Sequence, residues 1–260
     1  MIPATSKRHG CYVSNTSPLD VLDSRPLPAL VVELLRHVAE TANASNVAWF
    51  VGGATARDIM LTHVHGIEAT RATADVDIGV SVESWMDHAA LKAALIAGGA
   101  FEQRSEAHRL YYRAPGRGEL MWLDIVPFGG VESDAGNAGH SGNAATKEIA
   151  WPPDHAIRMN VAGFAEALTA AITVRVATDL AVPVASLPGQ AMLKIVAWRD
   201  RHASDRKDAT DLLFLLGHYA AAGNHQCVSQ GFRQPRLICK KYRPTVASHS
   251  STAAFNLSNA

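Results

Sequence analysis

The stretches "NVAWFVGGATARDIM" (46–60) and "ADVDIGVSV" (74–82) decide how this chain folds. In the first, a short apolar run ends at Gly52-Gly53 and reads as a buried strand; "TARDIMLTHVH" (55–65) reads as a helix behind it. In the second, Val76, Ile78, Val80 and Val82 alternate with Asp75, Asp77, Gly79 and Ser81, the period of a strand with one face on the core. Strands are depleted in Asp and in interior Gly, so the second face implies a demand other than packing.

Working outward, Leu30, Val31, Leu34, Leu35 and Val38 share one helical face behind an entry at Pro26 and Pro28. A helix is expected over 84–97, closed by Gly98-Gly99, followed by strands "HRLYYRA" (108–114) and "LMWLDIVPF" (120–128) around the turn "PGRGE". "AITVRVATDLAVPVASL" (171–187) reads as two strands around a turn. Helices follow over 188–200 and 205–216, the second with Ser204 at its N-cap. Residues 129–147, rich in Gly, Ser, Asn and Asp, read as a long loop. The expected organisation is a flexible N-terminus (1–24), a head (25–130), a linker (131–147), a hairpin with a helical part (148–224) and a disordered tail (225–260).

Composition sets limits on function. In 260 residues, 48% are hydrophobic and 18% charged, enough for a sizeable core. Lys and Arg number 24 and so do Asp and Glu, so no global charge argues for nucleic acid. Cys11, Cys227 and Cys239 form no CxxC, against a disulfide framework and for a reducing compartment. No apolar run reaches the ~18 residues of a membrane span and no secretory h-region is seen, so the expectation is a cytoplasmic protein without a membrane partner.

Asp75 and Asp77 point to the same strand face, where two like charges repel unless a cation lies between them. A hard divalent ion, Mg²⁺ or Mn²⁺, suits carboxylate oxygens; "DVDIG" lacks the further ligands of an EF-hand. Without a third element, a solvated strand face explains the pair as well. Gly52-Gly53 offers backbone N–H groups to an anion at a strand-to-helix turn, or simply a turn needing positive φ; it is neither a P-loop nor GxGxxG. The third element is Asp124, set among apolar strand residues where an unpaired charge is costly. If its strand neighbours that of Asp75 and Asp77, three carboxylates converge as two-metal phosphoryl transfer requires, and Asp124 can also activate an acceptor hydroxyl.

"GG" at a strand end, "DVDI" and a third Asp on a later strand together resemble the nucleotidyltransferase superfamily of the polymerase-beta type. "LKIVAWRDRHASDRKDATDLLFLL" (193–216) is similar to the AbiEii family, nucleotidyltransferase-like toxins of type IV toxin–antitoxin systems. The resemblance implies an α+β fold: a mixed sheet with flanking helices as nucleotidyltransferase head, then a helical C-terminal part closing the cleft. It places Gly52 and Gly53 against the NTP triphosphate with Arg57 nearby, and makes Asp75, Asp77 and Asp124 the metal ligands. Lys194 would contact the phosphates, and Asp208 or Asp211 would complete the site. It also implies transfer of a nucleoside monophosphate to an acceptor hydroxyl, with tRNA as acceptor and a cognate antitoxin as partner. A small-molecule, aminoglycoside-like acceptor and a binding module without turnover are the other readings.

The residues of that last segment carry less by themselves. Asp208 and Asp211 share a helix face with Lys207 in reach of Asp211, as in any amphipathic helix with a charged exposed side, and Lys194 can snorkel from an apolar run. "GHSGN" (139–143) falls short of G-x-S-x-G, and His225, Cys227, Cys239 and His249 fit no zinc-finger spacing. The basic cluster Arg233, Arg236, Lys240, Lys241 and Arg243 reads as a solvated tail.

Overall fold

The computed structural model describes residues 18–68, 75–114, 120–135 and 146–224. In chain order, β1 (Leu19–Asp20) precedes α1 (Ala29–Ala44), which starts once Pro28 leaves extended backbone and buries Leu34, Leu35, Val38 and Ala42. Strand β2 (Ala48–Val51) turns through Gly52 into α2 (Gly53–Asp58), which continues as π-helical turns Ile59–Val64. Strand β3 (Asp75–Val82) leads to α3 (Trp85–Ala97), whose cap Ser84 accepts the Asp87 N–H at 3.2 Å. Then come β4 (Phe101–Gln103), β5 (Arg109–Arg113) and β6 (Leu120–Gly129).

Next, β7 (Ser133–Ala135), β8 (Thr146–Ala150) and β9 (Arg158–Asn160) form a separate three-stranded antiparallel sheet. The polar composition of 129–147 suggests loop, yet both flanks of that stretch are paired strands; "GHSGN" lies outside the described residues. Helix α4 (Phe164–Thr169) leads into the expected hairpin of β10 (Ile172–Ala177) and β11 (Leu180–Val184). Helix α5 (Leu187–Arg201) opens on Ser186, which accepts the Gly189 N–H at 3.3 Å. Helix α6 (Lys207–His218) follows. Its first N–H is capped by Asp205 at 2.8 Å, while Ser204 turns back to the Arg201 carbonyl, so the cap lies one residue beyond the expected one.

The main sheet is mixed and has the order β1-β10-β11-β2-β3-β6-β5-β4. Strands from both sides of the polar stretch therefore share one sheet: β11 joins β2 in parallel at Val184 and Val51, and Leu19–Asp20, in the segment expected to be flexible, pairs with β10. At the centre β3 and β6 run parallel over eight residue pairs, from Asp75↔Trp122 to Val82↔Gly129. Val76, Ile78, Val80, Leu123 and Ile125 are fully buried in the core that also takes Leu34 and Leu35 of α1. The fold is thus the expected mixed α/β sheet with flanking helices.

Gly79 is explained by packing after all. A Cβ there would meet the Phe50 ring at 2.5 Å, and Phe50, Phe128 and Phe164 form a ring cluster with centroids 5.8–6.1 Å apart. The other glycines divide sharply. Gly53 has φ +59° and a Cβ would fall 1.8 Å from Asp77 Oδ2, whereas the nearest atoms to a Cβ on Gly52 are 3.7 and 3.9 Å away. Gly52 instead donates its N–H to the Asp77 carbonyl at 2.8 Å, extending the β2–β3 ladder. Gly53→Ala is expected to lower unfolding free energy by about 2 kcal/mol from backbone strain and crowding of Asp77, and Gly52→Ala by less than about 0.5 kcal/mol, as chemical denaturation will measure.

Candidate active site

The parallel register sets Asp77 directly beside Asp124, and the period of β3 puts Asp75 on the same face. One carboxylate oxygen from each of the three lies within 4.8 Å of the others. Burial and the neighbouring Asp75 and Asp124 charges push the Asp77 carboxyl up to about 6, with Lys194 and Lys207 acting against them. An all-carboxylate donor set with negative charge left over suits a hard divalent cation.

Asp124 is held by a residue the sequence pattern did not single out. Arg109 of β5, opposite Asp124 in the antiparallel register, makes a two-pronged pair with it (Nε–Oδ1 2.6 Å, Nη2–Oδ2 2.8 Å). Its guanidinium lies 5.0 Å from the Trp122 ring centroid, and the hydrogen bond to Asp124 pushes its pKa up. Only strand pairing brings these residues together, so no local signal could have found Arg109.

From the helical side, Lys194 of α5 reaches Asp208 Oδ1 at 3.1 Å and Asp211 Oδ2 at 2.7 Å on α6. Both carboxylates are buried, Asp208 completely, so the i, i+3 pair faces α5 rather than solvent. Arg201, two turns beyond Lys194 on the same helix, clamps Asp208 at 2.5 and 3.0 Å. Burial opposes ionisation of Asp208, but the Arg201 hydrogen bonds and Lys194 outweigh it and hold the carboxyl below its usual range. The seven-residue spacing of Lys194 and Arg201 was a usable signal for that second cation.

Arg57, expected near the triphosphate, is engaged by two carboxylates. Its guanidinium is buried, bonds Asp58 and Asp211 at 2.8 Å each, and lies 6.0 Å from the Phe214 ring centroid, tying α2 to α6. The cleft is lined by Gly52, Gly53 and Asp77 from the sheet side and by Lys194, Arg201 and Asp208 from the helices. The structure therefore brings most of the expected site residues to one cleft, joins Asp75 and Asp124 to it through Asp77, and places Arg57 and Asp211 behind it.

Carboxylates gathered on two parallel strands opposite a cationic helical wall are the chemistry of a nucleotidyltransferase. The comparisons narrow this class: a family model described as "Nucleotidyl transferase AbiEii toxin, Type IV TA system" matches residues 33–240. The chain belongs to that family and is a nucleotidyltransferase. No curated protein matches the chain. Among solved structures it is similar to the antibiotic-resistance factor ANT(2'')-Ia in solution (15% identity, 82% of this chain and 96% of that one, TM-score 0.40). It is also similar to an antigenic nucleotidyltransferase-like protein from Paracoccidioides brasiliensis (15% identity, 82% and 93%, TM-score 0.45). A third is ANT(2")-Ia in complex with adenylyl-2"-tobramycin (16% identity, 82% and 97%, TM-score 0.38). Among the described residues no helix is long and apolar enough to cross a membrane.

Three outcomes follow from these electrostatics. Because folding raises the Asp77 value from 3.8 to about 6, the metal-free fold holds that proton more tightly than the unfolded chain, so its stability falls as pH rises through that window and stays lower above it. Mg²⁺ is expected to raise the melting temperature roughly 5 °C more at about pH 7.5 than at about pH 5, with Asp77→Asn abolishing the difference in a thermal melt. Arg57→Met removes the hydrogen bonds to the partly buried Asp58 and to the buried Asp211, which keeps only Lys194, and is expected to cost about 3 kcal/mol in urea unfolding. Arg36→Ala, which breaks the exposed pair with Asp179, is expected to leave the urea midpoint nearly unchanged.

Proposed function

We propose that the protein transfers a nucleoside monophosphate from an NTP to an acceptor hydroxyl in a metal-dependent reaction that releases pyrophosphate. The acceptor is a tRNA, the setting the cytoplasm, and a cognate antitoxin the partner, as the type IV toxin–antitoxin family suggests. One observation carries the reading: Asp75, Asp77 and Asp124 offer oxygens within 4.8 Å of one another at a cleft walled by Lys194 and Arg201.

Asp75 and Asp77 are the residues that would hold Mg²⁺ or Mn²⁺, with Asp124 shared between that role and Arg109. When bound, such an ion supplies charge neutralisation for phosphate oxygens and for the attacking and leaving oxygens. Asp124, oriented by two hydrogen bonds from Arg109, accepts the proton of the acceptor hydroxyl. Lys194 meets the NTP phosphates, which compete for it with Asp208 and Asp211; these two carboxylates act as positioning groups for that lysine. The Gly52 N–H is committed to the Asp77 carbonyl, so the phosphate-facing role in the glycine pair falls to Gly53. Gly53 also lacks the Cβ that would displace the Asp77 carboxylate.

The test is incubation with Mg²⁺, each labelled NTP in turn and total tRNA, for the wild type and Asp77→Ala. Transfer of label to tRNA is expected from the wild type, with at least ~100-fold less from the variant. Equal transfer by both would end the metal-carboxylate mechanism. Label moving only to an added aminoglycoside would reassign the acceptor to a small molecule.

A further inference from the structure

Two buried side-chain polar atoms among the described residues have no hydrogen-bond partner: Gln190 Oε1, in the wall of the nucleotide cleft, and His88 Nε2, which the proposed reaction does not use. A buried acceptor without a donor is costly, so each such atom asks for an explanation. His88 lies on α3 and is 5% exposed. Its ring bonds the main chain of Ile125, the residue after Asp124, and burial pushes it down to about 4. The imidazole is therefore neutral, with the proton on the nitrogen facing Ile125 and a lone pair on Nε2.

That ring lines a separate cavity of about 340 Å³, built from α3, the segment before β5 and Trp151. Trp85 and Trp151 flank His88 edge-on at 5.7 and 5.6 Å and are themselves 5.4 Å apart. Lys92, one turn beyond His88, lines the same cavity and donates to the Ala107 carbonyl. Burial pushes its ammonium down to about 8, and no carboxylate among the described residues pairs with it. One water would satisfy Nε2, but it would leave two indoles around an open space and a half-buried cation without a counter-charge.

We infer that this cavity is a second ligand site, distinct from the nucleotide cleft, for a small planar aromatic anion. Its ring lies against Trp85 and Trp151, a ring N–H or O–H donates to His88 Nε2, and its anionic group meets Lys92. A nucleoside monophosphate and a simple aromatic carboxylate share that chemistry. The site adjoins the strand bearing Asp124, since His88 is bonded to the next residue, Ile125.

Calorimetric titration of the full chain with AMP, with 4-hydroxybenzoate and with inorganic phosphate, all in EDTA, tests the inference. Saturable binding of one organic probe is expected, unchanged in Asp77→Ala, and at least ~10-fold weaker in both His88→Phe and Lys92→Met. The better probe identifies the ligand source. Should His88→Phe fail to fold, Lys92→Met decides alone. Three results would overturn the site: neither organic probe binds, so that the cavity holds water only; inorganic phosphate binds as well as AMP; or the substitutions leave binding undiminished.

Discussion

The parallel pairing of β3 with β6 is the constraint on which the rest of this molecule depends. It sets Asp77 beside Asp124, with Asp75 two residues away on the same face, and so concentrates negative charge where a sheet would ordinarily bury apolar groups. Every nearby feature answers that charge. Arg109 crosses from β5 to take Asp124, Lys194 bears on Asp77 from the helices, and Gly53 leaves room for the Asp77 carboxylate by having no Cβ. Burial first, and the Asp75 and Asp124 charges after it, still hold the Asp77 carboxyl up at about 6, so negative charge is left over at the site. That residue of charge is what a divalent ion would neutralise.

A second electrostatic unit holds the helical wall in place. Arg57, Asp211, Lys194, Asp208 and Arg201 alternate in sign across α2, α6 and α5, each linked to the next by hydrogen bonds. Buried ion pairs of this kind contribute little net stability over apolar packing, yet removing one member is costly. Their effect here is on geometry. They fix the position of α5 relative to the sheet and hold the Lys194 ammonium at the cleft. An amphipathic helix with a solvated charged face would leave Asp208 and Asp211 exposed; here that charged face is inside.

Legibility followed the range of the interaction responsible. The alternation of β3, the apolar face of α1 and the β10–β11 hairpin rest on contacts within a few residues, and the structure shows each. The start of α6 differs from the expected one: Asp205 accepts its first N–H, while Ser204 donates back to the Arg201 carbonyl. Polar composition hid β7 and the start of β8, which pair in antiparallel register from Ser133↔Glu148 to Ala135↔Thr146. Gly79 looked functional because its constraint, the Phe50 ring, comes from another strand.

By itself the sequence determined which residues could do the chemistry: two aspartates on one strand face, a third in an apolar strand, a glycine turn and a lysine among apolar helix residues. These follow from local periodicity and from the cost of burying charge. Only the tertiary structure decided who meets whom. It paired β3 with β6, gave Asp124 to Arg109, drew Arg57 away to Asp211 and left His88 Nε2 unpartnered beside an aromatic cavity. Strand register and helix docking are set by the whole core at once, and no window of sequence contains them.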